Sequence, residues 1–417
     1  SDCDYMLFVD TDMSFTVKDF NEVAKLKKPL AIGAYCKKYI KQSKLEDYAR
    51  QNPEFKEGQL EAILSIVQDR KKLLLVQRTG WGKSMVYFIA TKILRDPEYY
   101  VSHLGVENKI PGPALMISPL LSLMRNQVFH GSSLVKIGRL DSSITRLEKD
   151  EVINDFINSD LDLLVTTPEQ LAKEQFREEV LMPMSSKISL LIIDEAHCIS
   201  DWGHDFRPDY MRVKSIISGL PLQTPVIATT ATANKRVEED IGKQMGESVH
   251  ISRGKLTRRS LHLQTKDMPS QEERLAFLVE SIIQMGSSGI VYVSTTSTVS
   301  KVTDWLLLNN IKAVPYSGKF SAKIREETEK KFLNDEIKVV VATNALGMGF
   351  DKPNLGFVIH YNTPQSAIHY YQQVGRAGRA LEDAFGICLL GAEDEVINNY
   401  FIEKAFPKMP AFKSVID

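Results

Sequence analysis

The chain has 417 residues, of which 43% are hydrophobic and 25% are charged. This length predicts two or three domains, and the composition is typical of a folded globular protein rather than a disordered one. Apolar runs such as residues 189–194 are too short to cross a membrane, and the first residues show no secretory leader. The net charge of −1 excludes a general attraction to nucleic acid, so any binding to phosphates must come from local basic or amide-rich patches.

The cysteines are Cys3, Cys36, Cys198 and Cys388, which lie far apart and form no Cys-x-x-Cys pair. Structural zinc modules and disulfide frameworks need closely spaced or paired cysteines. The sequence therefore predicts neither of them, and it favours a protein of the reducing cytoplasm that has no membrane contact.

Short apolar runs alternate with helical stretches from Leu73 onward, and the series occurs twice. The first series of predicted strands covers residues 73–76, 114–117, 161–165, 190–193 and 226–228. The second series covers residues 289–293, 313–316, 339–341 and 357–359. Continuous apolar runs are typical of parallel strands that are buried on both faces. We therefore predict an α/β fold of two tandem lobes, each a parallel sheet covered by helices.

The join between the lobes is predicted near residues 252–269, where Gly254, basic residues and Pro269 interrupt the pattern. We assign residues 45–255 to the first lobe and residues 256–393 to the second. Residues 1–44 form an N-terminal extension of uncertain role. Residues 394–417 form a tail that opens with a helical stretch over 394–405 and begins a further, incomplete region.

Residues 77–84 read Gln-Arg-Thr-Gly-Trp-Gly-Lys-Ser and lie between a predicted strand and a predicted helix. Glycines let backbone N–H groups close around phosphates, Lys83 can reach the β- and γ-phosphates, and Ser84 can hold Mg²⁺. Gln77 stands where the strict pattern has glycine, which leaves open a simple turn with a chance match. The residues predicted to bind the nucleotide here are Thr79, Gly80, Trp81, Gly82, Lys83 and Ser84.

Asp194 and Glu195 follow the predicted strand 190–193 directly. Adjacent carboxylates at the end of a strand suit a metal site, in which Asp194 orients Mg²⁺ and Glu195 polarises the attacking water. A charged turn after a strand is the alternative. The phosphate loop upstream favours the metal site.

Residues 198–210, which read Cys-Ile-Ser-Asp-Trp-Gly-His-Asp-Phe-Arg-Pro-Asp-Tyr, resemble the aromatic-rich loop of the RecQ family of DNA helicases. The resemblance covers about residues 45–393. It implies two RecA-like lobes with a cleft between them, ATP and Mg²⁺ as cofactors, and single-stranded and duplex DNA as partners. It also implies ATP-dependent 3′-to-5′ movement on DNA.

The same resemblance assigns further roles. Lys56 and Gln59 would contact the adenine, although Asn52 replaces a usual tyrosine of this motif and Lys56 a usual arginine. Residues 230–232, Thr-Ala-Thr, would couple ATP state to lobe movement. The residues that would contact nucleic acid are Ser118, Pro119, Thr167, Pro168, Trp202, His204, Phe206 and Arg207.

Residues 372–379 read Gln-Gln-Val-Gly-Arg-Ala-Gly-Arg and resemble the last helicase motif. Its catalytic members would be Gln372, Arg376 and Arg379, with the two guanidinium groups stabilising charge on the γ-phosphate. A basic surface turn is the alternative for two arginines at this spacing. The family's four-cysteine zinc module and winged helix have no counterpart in the sequence, so a protein partner would have to supply the duplex wedge.

Residues 4–12 read as a strand that ends in Asp10-Thr-Asp12, which resembles a motif of type-A glycosyltransferases. About 40 residues cannot supply a nucleotide-binding sheet with its own core. A fusion remnant or a misplaced gene start is therefore the preferred interpretation. The alternatives to a DNA motor are an RNA-directed helicase and a helicase-like module that binds nucleic acid without hydrolysis. The expected location is the cytoplasm, in association with the nucleoid.

Overall fold

The computed structural model describes residues 55–96, 112–200, 207–246, 248–255, 257–347, 350 and 352–405. The predicted Asp10–Asp12 motif and the last residues of the tail lie outside these ranges. The described residues form two compact units, one before and one after residue 256. Within this part of the chain, no helix is both long and apolar enough to cross a membrane.

The first lobe is built on a parallel sheet with the strand order β3-β4-β2-β5-β6-β1-β7. Its strands are β1 (Lys72–Val76), β2 (Ala114–Ile117), β3 (Ile137–Leu140), β4 (Leu163–Thr166), β5 (Leu191–Ile193), β6 (Val226–Thr230) and β7 (Val249–Arg253). The interior strand β1 pairs with β6 on one side and with the edge strand β7 on the other. Strands β1, β2, β4, β5 and β6 are apolar and buried on both faces, which places their carboxyl ends in a row along one edge.

Helices cover both faces of this sheet and form a core on each side. The helices are α1 (Gln59–Val67), α2 (Lys83–Leu94), α3 (Leu121–Gly131), α4 (Arg146–Ile157), α5 (Pro168–Ala172), α6 (Val213–Gly219) and α7 (Lys235–Met245). Shorter helical segments run over Glu174–Phe176, Arg177–Leu181, Met182–Met184, Ala196–Ile199 and Pro208–Arg212. Helix α4 begins with a capping box between Thr145 and Glu148, and Thr167 caps α5.

The second lobe repeats the plan with a parallel sheet in the order β10-β11-β9-β12-β13-β8. Its strands are β8 (Leu261–Asp267), β9 (Ser288–Tyr292), β10 (Ala313–Tyr316), β11 (Val339–Ala342), β12 (Leu355–His360) and β13 (Ala384–Leu390). Its helices are α8 (Gln271–Gln284), α9 (Thr296–Leu308), α10 (Ala322–Leu333), α11 (Ala367–Val374) and α12 (Asp394–Ala405). Apolar cores lie on both faces of this sheet as well.

The predicted α/β class with two parallel sheets is confirmed, and every predicted strand is present within a few residues. Strands β3, β7, β8 and β13 were not predicted. Strands β3, β7 and β8 are edge strands, and most residues of β7 and β8 are at least partly exposed, so their polar sequences lack a continuous apolar run. Strand β8 lies inside the segment that was predicted to be a join, which shortens the irregular stretch to residues 254–260.

Candidate nucleotide site and nucleic-acid interface

The phosphate loop connects the end of β1 to the start of α2, as predicted. Gly80 and Gly82 have φ values of 73° and 96°, a backbone region that favours glycine. A Cβ atom on Gly82 would lie 2.5 Å from the Gln59 side-chain nitrogen. The Lys83 ammonium donates to the carbonyl oxygens of Gln77 (2.9 Å) and Arg78 (3.4 Å). The loop is therefore a compact turn that holds its lysine at the N-terminus of a helix, where anions bind favourably.

The two residues predicted to contact adenine hold the phosphate loop in this structure, and their contact with adenine stays a prediction. The Gln59 side chain donates to the carbonyls of Trp81 (3.0 Å) and Gly82 (3.2 Å), and its oxygen accepts from the Lys56 backbone N–H (2.8 Å). The Lys56 ammonium donates to the Gly80 carbonyl (2.6 Å). Both side chains therefore support the phosphate loop through its backbone carbonyls.

Trp81 is turned into the protein and is only 5% exposed. Its indole N–H donates to the Glu57 carbonyl (3.2 Å), and the ring lies within 3.7 Å of a Cβ position built on Gly58. The sequence placed Trp81 among the nucleotide-binding residues. The structure leaves only its backbone available for that role, because the ring fixes the segment before α1 against the loop.

Gln77, which replaces the first glycine of the motif, is buried beside Gly254. A Cβ atom on Gly254 would lie 1.9 Å from the Gln77 side-chain oxygen, so the glutamine occupies the space that this glycine leaves open. The departure from the strict phosphate-loop pattern is therefore accommodated behind the loop, next to the chain that leaves β7.

Asp194 lies at the carboxyl end of β5 and is almost fully buried. One carboxylate oxygen accepts from the Thr229 hydroxyl and the other from the Gln127 side-chain amide. The Tyr210 hydroxyl donates to the Asp194 carbonyl (2.9 Å). Burial, together with the negative charge of Glu195, raises the pKa of the Asp194 carboxyl to about 6, while the Lys83 ammonium acts in the opposite direction. The Lys83 effect indicates that the lysine and the carboxylate share one electrostatic environment.

Glu195 has a φ of 48°, a backbone conformation that is uncommon for a residue with a side chain. Strained backbone of this kind is concentrated at functional sites. The Glu195 carboxylate lies 3.3 Å from His197 Nδ1, which in turn lies 3.1 Å from the Thr230 hydroxyl. The Thr230 hydroxyl also accepts from the Thr232 N–H (3.1 Å). The Asp-Glu-Ala-His and Thr-Ala-Thr segments are therefore joined side chain to side chain.

The residues present fit a Mg²⁺ ion held jointly with a nucleotide. The donor set offered by Ser84 and Asp194 consists of a hydroxyl and a carboxylate, which are hard oxygen ligands. Among the described residues, no group of three or more His, Cys, Asp or Glu side chains could hold a metal by itself. Mg²⁺ commonly binds through one or two carboxylates and the substrate's phosphates, and this site has that composition.

The residues predicted to contact nucleic acid are brought together only in part. Arg207 donates to the Pro119 carbonyl (2.8 Å) and lies 3.4 Å from the Glu169 carboxylate, which joins the segments that follow β2 and β4. Ser118 is fully buried, and its contact with nucleic acid stays a prediction. Trp202, His204 and Phe206 lie outside the described residues.

Thr167 and Pro168 form the start of α5 and are buried. The Thr167 hydroxyl accepts from the Gln170 N–H (3.3 Å), so it caps this helix. These two residues shape the surface next to Arg207 rather than projecting from it. The arginine, with a quarter of its side chain exposed, keeps its predicted place at the surface.

The arginine motif of the second lobe follows α11. Arg376 is buried, and its guanidinium donates to the Phe350 carbonyl (3.0 Å). Arg379 is partly exposed, and so is Gln372 on α11. Arg258 donates to the carbonyls of Gly375 (2.9 Å) and Ala377. These two contacts support the turn that contains the arginine motif. In this structure Arg376 therefore acts as a brace of the motif, a role that the sequence did not predict.

A partly buried network joins α11 to the segment that follows β11 in the second lobe. Gln373 donates to the Asn344 side-chain oxygen (2.9 Å), and its own oxygen lies 2.7 Å from His360 Nε2. Asn344 belongs to the segment 342–351 that resembles the penultimate helicase motif. The side chain next to the predicted catalytic Gln372 therefore connects the last two motifs.

The stability of the second lobe is expected to fall as the pH decreases from about 6.5 to about 4. Burial lowers the pKa of His360 to about 4, below its ordinary value near 6.5, so the folded lobe keeps this ring neutral while the unfolded chain takes up a proton. The stabilisation is complete above the unfolded pKa and decreases by about 1.4 kcal/mol per pH unit inside this window. Hydrogen exchange of β12 and β13 in wild type and His360→Gln measures it, and equal pH slopes in the two proteins would contradict the assignment.

Sequence reasoning missed several side chains that hold the site: Tyr87, Gln127, Tyr210, Thr229 and Arg258. A signal existed for Tyr87, which lies one helical turn after Ser84 on the same face. No feature of the sequence indicated the role of Gln127, because its contact with Asp194 depends on how α3 is rotated against the sheet.

Comparison with known proteins agrees with this geometry. Residues 56–241 match the DEAD/DEAH box helicase family, and residues 273–381 match the helicase conserved C-terminal domain. The chain is 33% identical over 327 residues to an ATP-dependent DNA helicase RecQ of Haemophilus influenzae, a match that covers 78% of this chain and 49% of that protein. It is 32% identical over 363 residues to the ATP-dependent DNA helicase RecQ of Bacillus subtilis, covering 84% of this chain and 56% of that protein.

The chain thus spans about half the length of these relatives. The structure of Saccharomyces cerevisiae Dbp5 bound to RNA and ADP BeF3 is similar, with a TM-score of 0.67, 17% identity, and coverage of 88% of this chain and 91% of that chain. At this identity the likeness concerns the fold alone, and it confirms the RecA-like architecture of the lobes. The matched relatives and the matched helicase domains together show that the chain belongs to the RecQ family of helicases.

Proposed function

We propose that this chain is the motor core of an ATP-dependent DNA helicase that moves 3′ to 5′ on single-stranded DNA and separates strands during repair or recombination. The observation that carries the proposal is the buried junction in the first lobe. There the buried Asp194 is held by Thr229 and Gln127 at the carboxyl end of β5. The neighbouring Glu195 is linked through His197 to Thr230. The RecQ relatives favour DNA over RNA as the strand.

In the proposed reaction, Lys83 and the glycine-rich loop bind the phosphates of ATP, and Ser84 and Asp194 hold Mg²⁺. The metal ion, when bound, neutralises charge on the β- and γ-phosphates. Glu195 accepts a proton from the attacking water, and His197 orients the Glu195 carboxylate. Arg379, on the motif that Arg376 and Arg258 brace, stabilises the negative charge that spreads over the transferred phosphoryl group, with Gln372 beside it.

Strand binding is proposed for the surface where Arg207 meets the segments after β2 and β4. Arginine donors and backbone amides contact phosphates without reading base sequence, which suits a motor that must move along any strand. Trp202 and Phe206 would add faces on which bases stack, and His204 would add a phosphate donor. We also propose a cytoplasmic, nucleoid-associated protein that obtains a duplex wedge from a further segment or a protein partner.

The rate of ATP hydrolysis is expected to rise severalfold when single-stranded DNA is added. The physical reason is that Arg207 follows Glu195 closely in the chain, so strand binding at Arg207 would act on the segment that carries the catalytic base. Phosphate release is measured with no nucleic acid, with single-stranded DNA, and with RNA of the same base sequence. Equal rates with and without DNA would refute the coupling, and stronger stimulation by RNA would replace the DNA motor with an RNA-directed one.

A further inference from the structure

A buried polar bridge of Tyr87 and Gln127 leads to Asp194, one of the two side chains that are proposed to hold Mg²⁺. Tyr87 lies one turn after Ser84 on α2, on the same face of the helix. The Gln127 amide nitrogen on α3 lies 3.3 Å from the Tyr87 hydroxyl and donates to the Asp194 carboxylate. The contacts therefore run from Tyr87 through Gln127 to Asp194, and Ser84 lies one helical turn before Tyr87.

The bridge lies in the interior of the first lobe. Tyr87 is fully buried, and Gln127 is 5% exposed. The side-chain oxygen of Gln127 is buried and has no hydrogen-bond partner within the described residues. Buried polar atoms usually have a partner, and an amide oxygen can accept from water. A glutamine that costs energy at this position, next to a carboxylate, is more readily explained by function than by packing.

We propose that Tyr87 and Gln127 are positioning residues that orient Asp194 for Mg²⁺. This inference rests on the proposed function of the nucleotide site. Residues that hydrogen-bond to metal ligands fix the direction of the ligand's lone pairs, and their loss commonly weakens metal binding about 10- to 100-fold. Gln127 contacts Asp194 directly, Tyr87 contacts Gln127, and the two residues come from two different helices.

The test is nucleotide binding as a function of Mg²⁺ concentration, measured calorimetrically with a non-hydrolysable ATP analogue and no nucleic acid. Gln127→Met keeps the side chain's size and removes its donor, and Tyr87→Phe removes only the hydroxyl. In both variants the Mg²⁺ concentration that gives half of the affinity gain is expected to rise about tenfold. Analogue binding without Mg²⁺ should stay at the wild-type value.

Tyr316→Phe is the matched control. Tyr316 is a buried tyrosine of the second lobe whose hydroxyl donates to Glu329, so the variant loses a buried hydroxyl far from the nucleotide site in sequence. Its Mg²⁺ dependence should equal that of wild type. Circular dichroism and thermal unfolding show whether each variant is folded, and Tyr87→Phe decides the question if Gln127→Met is not.

Two results would overturn the proposal. One is an unchanged Mg²⁺ dependence in both folded variants. The other is an equal loss of analogue binding with and without Mg²⁺, which would indicate a general packing role. Because the measurement needs no turnover, it remains informative if the wild-type chain fails to hydrolyse ATP, a result that would refute only the proposed function.

Discussion

Glu195→Gln is expected to abolish ATP turnover while ATP binding is retained. The amide has nearly the same size as the carboxylate but cannot accept a proton from water, and general-base catalysis typically contributes about 10²- to 10⁴-fold to a rate. Gln127 and Thr229 hold Asp194 through contacts that do not involve Glu195, so the metal ligands should stay in place. Phosphate release with single-stranded DNA present measures turnover, and a fluorescent ATP analogue measures binding.

Glu151→Gln is the matched control for this substitution. Glu151 is an exposed residue of α4 in the same lobe, and its replacement makes the same change of charge. The control should hydrolyse ATP at the wild-type rate. Hydrolysis by Glu195→Gln within a few-fold of wild type would show that another group takes the proton, and the strained backbone at residue 195 would then need a different explanation.

Asp394→Ala is expected to destabilise the second lobe by about 3–5 kcal/mol, which is the usual cost of removing one partner from a buried ion pair. The Asp394 carboxylate accepts from the Asn362 side chain (2.9 Å), the Thr363 N–H (2.9 Å) and hydroxyl (2.6 Å), and the Gly391 N–H (2.9 Å). The fully buried Arg274 guanidinium lies 3.9 Å away. The substitution leaves these donors and part of a positive charge without a partner.

Urea unfolding, together with hydrogen exchange of β9 and β12, reports the loss. Glu395→Ala serves as the control, because Glu395 is exposed in the same helical turn and should change stability by no more than about 0.5 kcal/mol. A loss below about 1 kcal/mol for Asp394→Ala would show that the Glu393 carboxylate, which also pairs with Arg274, compensates for the missing charge.

Asp394 also shows what the sequence could and could not predict about the fold. The helix over 394–405 was predicted with its observed bounds, and it was assigned to a separate tail. The assignment depended on chain order, because nothing in the local pattern indicates that Asp394 contacts residues 31 and 32 positions earlier. Most interior strands were predictable because burial on both faces makes them apolar, although the interior strand β13 was not predicted. Edge strands such as β8 were not, because their side chains are largely exposed.

The candidate site, like the fold, was predictable only in part. The approach of Asp194 to the phosphate loop could be predicted, because parallel strands end at a common edge of the sheet and the motifs follow β1 and β5. The hydrogen-bond partners of each side chain could not be predicted. Gln59 appears in the sequence as an adenine contact and in the structure as a support of Gly82. Such choices depend on side-chain directions that the spacing of residues does not fix.

Helix α3 begins two residues after Pro119, whose carbonyl binds Arg207, and it carries Gln127 about 9 Å further along its axis. A helix of this length behaves as a rod, so a displacement of its first turn is carried to Gln127, which contacts Asp194. Nucleic acid that binds Arg207 would therefore change the surroundings of the proposed Mg²⁺ ion through α3 itself. Hydrolysis of ATP without bound nucleic acid would then be slow, because the displacement of α3 would be missing.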